Sequence, residues 1–117
     1  MSEINRFNKY NSIGYKNVIY PECNEGWYPA IEKMLDKMME DPVKVTVYQI
    51  KEKFGELRCY YEGGSEVSKQ AVEEAEKALE TVCEMCGEVG IRRNTRWIRV
   101  LCDKHYEEQL ARQAASW

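Results

Sequence analysis

Two short segments carry residue types that can hold a metal ion. Cys83-Glu84-Met85-Cys86 and Cys102-Asp103-Lys104-His105 form a C-x2-C-x15-C-x2-H pattern, the spacing of a tetrahedral structural zinc site. A two-residue gap lets both donors of a pair face one ion. Gly87, directly after Cys86, supplies the positive φ on which such a turn depends. A redox dithiol would sit at the start of a helix that follows a strand, as in a thioredoxin-like site, and the residues around Cys83 do not have that setting. Cys23 and Cys59 have no paired spacing and are expected to fill core space as small hydrophobes. Five cysteines are an odd set, which argues against a disulfide framework.

Taking His105 as a ligand uses the only histidine in the chain. No imidazole is then left for Ser-His-Asp chemistry or an HNH-type nuclease, and no His-x-Glu precedes the first cysteine pair, as a zinc deaminase requires. A catalytic zinc keeps one coordination position open, whereas four protein donors close this one. The zinc is therefore expected to be structural and the protein not an enzyme.

The elements that must position these ligands follow from periodicity. Trp27, Ile31, Met34, Leu35 and Met38 recur at spacings of three and four, one face of a helix that Pro29 can begin and Asp41-Pro42 ends. Val43, Val45 and Val47 alternate with Lys44, Thr46 and Tyr48, so a half-buried strand is expected over Val43–Lys51, paired through a turn at Gly55 with a strand over Glu56–Glu62. Phe54 and Leu57 are expected in the core. Val67, Ala71, Val72, Ala75, Ala78, Leu79 and Val82 make a helical stripe over about Glu66–Val82, running into the first cysteine pair. Ile91–Arg93 and Trp97–Leu101 flank Asn94-Thr95 as a second hairpin. Tyr106, Leu110 and Ala114, spaced by four, put Cys102 and His105 at the start of a terminal helix. Knuckle, hairpin and ligand-bearing helix make a treble-clef-like finger. Ahead of all this, Tyr10, Tyr15, Val18, Ile19 and Tyr20 are expected to dock an irregular lead-in onto the domain. The fold class is α+β: a small antiparallel hairpin packed with helices, plus the C-terminal finger. Its parts are a lead-in over 1–24, a helix–hairpin–helix core over 25–82 and the finger with its terminal helix over 83–117, joined as one unit.

At 117 residues with 44% apolar and 32% charged positions, the composition is that of one globular domain. No run approaches the ~18 uninterrupted apolar residues of a membrane span, and the first residues lack a basic and apolar signal pattern. A soluble intracellular protein is expected. The net charge of −3 is a sum over unlike parts: Glu62–Cys86 is strongly acidic, whereas Gly87–Leu101 carries Arg92, Arg93, Arg96 and Arg99 against Glu88 alone.

Several of these strings occur together in known proteins. Cys23-Asn24-Glu25-Gly26-Trp27-Tyr28-Pro29, Gln49-Ile50-Lys51-Glu52-Lys53-Phe54-Gly55-Glu56-Leu57-Arg58, Cys83-Glu84-Met85-Cys86-Gly87 and Trp97 ahead of Leu101-Cys102-Asp103-Lys104-His105 resemble a family of small, uncharacterised phage and prophage proteins. The resemblance spans about Tyr20–Glu107. It implies a phage or prophage origin, the cytoplasm of a bacterial host and a bound zinc, and it assigns no activity. Most members of that family have few residues after the last ligand, so the tail Gln109–Trp117 is a departure.

Three functions compete on these residues. The first is binding to a host or phage protein, as in host takeover or anti-defence, motivated by the closed zinc site, the acidic helix and aromatic residues toward both ends. The second is nucleic-acid binding, with Arg92, Arg93, Arg96 and Arg99 beside Trp97, although a pI near 5.3 is far from a basic footprint. A narrower variant is sequestration of a small nucleotide between Lys51, Lys53, Arg58 and the arginine loop. Protein binding is the leading expectation.

Overall fold

The apolar spacing from Trp27 to Met38 folds into helix α1 (Tyr28–Met39) in a computed structural model that describes residues 5–94 and 96–115. Trp27, Ile31, Met34, Leu35 and Met38 are all buried. Pro29 lies in the first turn, where its missing N–H costs nothing, and the helix ends before Asp41-Pro42. Asp41 then links two elements. Its carboxylate accepts from Val43 N at 2.8 Å, Ser65 N at 2.7 Å, Ser65 Oγ at 2.8 Å, Ser68 N at 3.1 Å and Ser68 Oγ at 2.7 Å. It thereby caps helix α2 (Glu66–Leu79) from the end of α1, where a negative charge is favoured by the helix dipole. This explains why Ser68 is buried while Val67 and Ala78, two members of the sequence stripe, are exposed.

Strands β1 (Val45–Lys53) and β2 (Glu56–Gly63) pair antiparallel through a two-residue turn. Phe54 and Gly55 both have positive φ, +54° and +80°, the geometry that matches strand twist in a tight hairpin. A bulge lies between Val47 and Gln49, with Tyr48 the extra residue. It reverses the alternation, so Val45, Val47 and then Ile50 face the helices. Val43, expected to begin the strand, precedes it and is exposed.

The lead-in is 3-10 turns rather than a featureless arm, over Asn8–Ile13 and Tyr15–Asn17. Tyr10 and Ile19 dock as expected and Phe7 joins them, but Tyr15, Val18 and Tyr20 are exposed. The cause is the path of the chain. Gly14 and Glu22 bridge β1 at Val47 and Lys51, and between them Lys16 and Asn17 both adopt left-handed φ, +56° and +60°, which turns Tyr15, Val18 and Tyr20 outward while Ile19 stays buried.

After α2 the chain leaves the helix three residues earlier than the stripe suggests, because Val82 bridges Val89 and Gly90 N–H donates to Thr81 O at 2.9 Å. Strands β3 (Ile91–Arg93) and β4 (Arg99–Leu101) form the second hairpin, and α3 (Asp103–Ala115) follows. On α3 the buried face is rotated from the one expected. Leu110 and Ala114 are exposed, Tyr106 is half-buried, and Gln109 and Gln113 are buried. The ligand-bearing turn sets the helix's rotation, and it turns the glutamine row inward. Thr95 of the expected turn, the first four residues of the lead-in and the last two of the tail lie outside the described residues. Among the described residues no helix is long and apolar enough to cross a membrane.

Candidate functional site

The two cysteine-bearing segments converge. Gly87 adopts φ +84°, its N–H donates to Cys83 O at 2.9 Å, and Cys83 N–H donates to Glu88 O at 2.7 Å, which closes the knuckle over Cys83 and Cys86. Cys102 lies between β4 and α3, and His105 occupies the first turn of α3. One donor atom from each of Cys83, Cys86, Cys102 and His105 lies within 4.8 Å of all the others. Cys86 Sγ is 3.8 Å from Cys102 Sγ, and the nitrogen facing the thiols is His105 Nδ1, 3.6 Å from Cys83 Sγ and 3.2 Å from Cys102 Sγ. These four groups are placed to hold one metal ion. Burial pushes the Cys83 thiol up, but backbone N–H groups of Cys102, Cys86 and Met85 outweigh it and bring it down to about 7, toward the thiolate a metal needs. Cys23 and Cys59 lie away from this group, half-buried against the core, with thiols pushed up to about 12 by burial.

The knuckle is rooted in the rest of the protein by the residues just before α1. Gly26 N–H donates to Glu84 O at 2.8 Å, and a Cβ at Gly26 would stand 2.3 Å from Cys83 O. The Trp27 indole donates to Val82 O at 3.0 Å. Asn24 donates from N and Nδ2 to Glu84 Oε2 at 3.1 and 2.9 Å. The Cys-Asn-Glu-Gly-Trp string is thus the socket of the finger.

The cationic candidates separate into three groups. Arg96, Trp97 and Arg99 meet Glu52 and Phe54 around a groove of ≈ 420 Å³ between the tips of the two hairpins. Gly55 rests on the finger here: a Cβ built on it would stand 3.6 Å from Ile98 Cγ2 and 3.7 Å from Val100 Cγ2. Lys53 leans over the Phe54 ring at 5.7 Å. Arg92 and Arg93 are held by partners within the fold. Arg92 pairs with Glu56 at 3.4 Å. Arg93 donates to Leu101 O at 3.1 Å and Asp103 Oδ1 at 2.7 Å, and stacks over Tyr106 at 4.3 Å, which pins α3 to the hairpin. Lys51 and Arg58 face each other across β1 and β2, outside the groove. Lys51 lies 5.8 Å over Tyr60 and Arg58 pairs with Glu56 at 2.9 Å.

Phe54 is the residue that sequence reasoning misplaced. It is 58% exposed, because a tight two-residue turn puts its first member at the tip, outside either sheet face. A Phe-Gly step between charged strand ends was the available signal. The outer face of β1–β2 was also missed as a unit: Tyr48, Tyr60, Tyr15, Val18 and Tyr20 are all exposed, with the Tyr15 and Tyr48 rings 4.9 Å apart.

Fold and site together define a small α+β protein whose C-terminal part has the knuckle–hairpin–helix order of a treble clef around a Cys3His group. Comparison with known protein families, with curated proteins and with solved structures found no match to this chain.

Proposed function

We propose that this is a non-enzymatic, zinc-stabilised binding protein of the phage or prophage type that acts on a host or phage protein. Zinc fits the donor set. At Zn–S about 2.3 Å and Zn–N about 2.0 Å, tetrahedral angles require S···S near 3.8 Å and S···N near 3.5 Å, against 3.8, 3.6 and 3.2 Å for the three pairs measured. Four protein donors leave the ion no open position, so its work is to hold the knuckle to α3.

The observation that carries the protein-binding reading is the outer face of the first hairpin. A sheet of two strands covered by helices on one side leaves Tyr48 and Tyr60 on the other, and the left-handed pair Lys16-Asn17 brings Tyr15, Val18 and Tyr20 beside Tyr48. Tyrosine-rich contiguous patches of this kind are enriched at protein interfaces, where each ring brings large area at low entropic cost. Tyr20, at 73% exposed, contributes little to a core, so replacing it leaves the fold intact. The test is capture from nuclease-treated host lysate at physiological salt by the wild type and by Tyr20→Ser/Tyr60→Ser. A defined protein held by the wild type and lost from the variant is expected. Absence of any enriched protein, or equal capture by both, refutes the reading.

A further inference from the structure

The groove between the hairpin tips is a different surface from the tyrosine face, and its construction is costly. Phe54 is a bulky side chain held at φ +54°, where L residues other than glycine, asparagine and aspartate are disfavoured, and its ring is left in water. Neither choice helps the hairpin fold, since Asn-Gly would make the same turn better. Strain of this kind points to a role outside folding. Trp97, 53% exposed, lines the same groove from the other hairpin.

The polar lining is mixed in sign in a specific way. Arg96 and Arg99 supply guanidinium groups. Arg99 is backed by Glu84, only 2% exposed, whose Oε1 has no hydrogen-bond partner among the described residues and lies 4.0 Å from Arg99 Nε. A buried carboxylate behind an arginine restricts the guanidinium's position before any ligand arrives. Glu52 also lines the groove. One of its oxygens accepts Gly55 N–H at 2.8 Å, which orients the carboxylate and leaves the other oxygen as an acceptor.

We propose that this groove binds a nucleoside phosphate, with the base stacked on Trp97 and Phe54, the phosphate held by Arg96 and Arg99, and a base or ribose donor accepted by Glu52. Each component excludes a simpler ligand. An inorganic anion has no use for the rings and is repelled by Glu52. A purely acidic peptide is repelled likewise. A nucleotide is planar, anionic and rich in N–H and O–H donors at once. The groove's ≈ 420 Å³ lies within the roughly 300–1,000 Å³ of small-molecule sites. The nucleotide is either free or the end of a single strand, and the overall charge of −3 disfavours a long polyanion.

The test is calorimetric titration of the zinc-loaded full chain with the four 5′-monophosphates AMP, GMP, CMP and UMP, with the matching nucleosides, with inorganic phosphate, and with a short 5′-phosphorylated single strand. At least one nucleotide is expected to bind tenfold or more tightly than its nucleoside and than phosphate, with affinity falling as salt rises. Phe54→Asn and Trp97→Ala should each weaken it tenfold or more. The melting temperature should be held in the tryptophan variant and held or raised in Phe54→Asn. Equal affinity for the monophosphate and the strand assigns a free ligand, and tighter binding of the strand assigns its end. Phosphate binding as well as any nucleotide, no probe binding at millimolar concentration, or both variants binding like wild type would each overturn the proposal. None of these outcomes bears on capture by the tyrosine face, which is read from different residues.

Discussion

The two halves of this molecule hold themselves together by different means. The part built on α1, α2 and the first hairpin buries one continuous cluster from Phe7 to Leu79, which also takes in Val100 of the finger, with Trp27, Ile31 and Leu35 fully enclosed. Beyond Val100 the finger buries only Leu101 and Cys83 among its described apolar residues, and its helix turns Gln109 and Gln113 inward where apolar residues would otherwise stand. Burial of this extent cannot order three short elements at roughly 1–2 kcal/mol of backbone entropy per residue. Ligand bonds to a metal at the Cys3His group would supply what apolar area does not. The contrast teaches that a metal held by the Cys3His group would serve the half whose share of the core is little more than Val100. The seam at Gly26, Trp27 and Asn24 is where one half's stability is passed to the other.

Removing the metal should break this comparison most severely. Chelation at neutral pH, or Cys86→Ser, is expected to abolish hydrogen-exchange protection at Gly87, Val100 and Leu101 while α1 and α2 stay protected, since structural zinc contributes about 10 kcal/mol or more in small fingers. Protection retained throughout would show that the finger has a core of its own. Next in size, Trp27→Ala should cost about 3–5 kcal/mol in denaturant titration, because it empties the centre of the core and orphans Val82 O. Gly26→Ala probes the seam. Its Cβ meets backbone oxygen rather than a movable side chain, so about 2–3 kcal/mol is expected, together with weaker metal retention in a chelator competition. A variant that loses neither would uncouple the halves.

A pH series isolates the first half further. Burial pushes the Asp41 carboxyl up, but the N–H and O–H donors of Ser65, Ser68 and Val43 outweigh it and hold it well below the ordinary carboxylate range. Its folded value lies below its unfolded value, so its contribution is complete above about pH 4 and is lost as pH falls below that. Asp41→Asn should flatten this acid limb of the melting curve in the chelated protein; an unchanged slope would remove Asp41 from the account. The smallest expected change is a gain. Phe54→Asn relieves the left-handed strain at the hairpin tip and should raise stability by up to about 1 kcal/mol. A loss instead would mean that the Phe54 ring supports the seam against the finger.

Much of this was legible locally. The α1 face, both hairpins, the α2 stripe from Ala71 to Leu79 and the four converging donors follow from periods of 3.6 and 2 and from paired ligand spacing, all of which are set by neighbours a few residues apart. The exceptions share one cause. Tyr48 is a bulge because the lead-in bridges β1 on either side of it. Phe7 is buried because it meets Tyr28 of α1 edge to face, with ring centroids 5.0 Å apart. Arg93 is held by the start of α3 rather than free for a partner. Each depends on a contact between segments distant in the chain.

By itself, then, the sequence determined the element order and the residues that can take a metal, because backbone period and donor spacing are local properties. Only the tertiary structure decided that Lys51 and Arg58 leave the arginine loop while Phe54 and Glu52 join it, that the tyrosines gather on one open face, and that α3 presents glutamines inward. Which side of a strand or helix faces in is fixed by what packs against it. At the bulge, the hairpin tip and the ligand-bearing turn, that neighbour comes from another part of the chain.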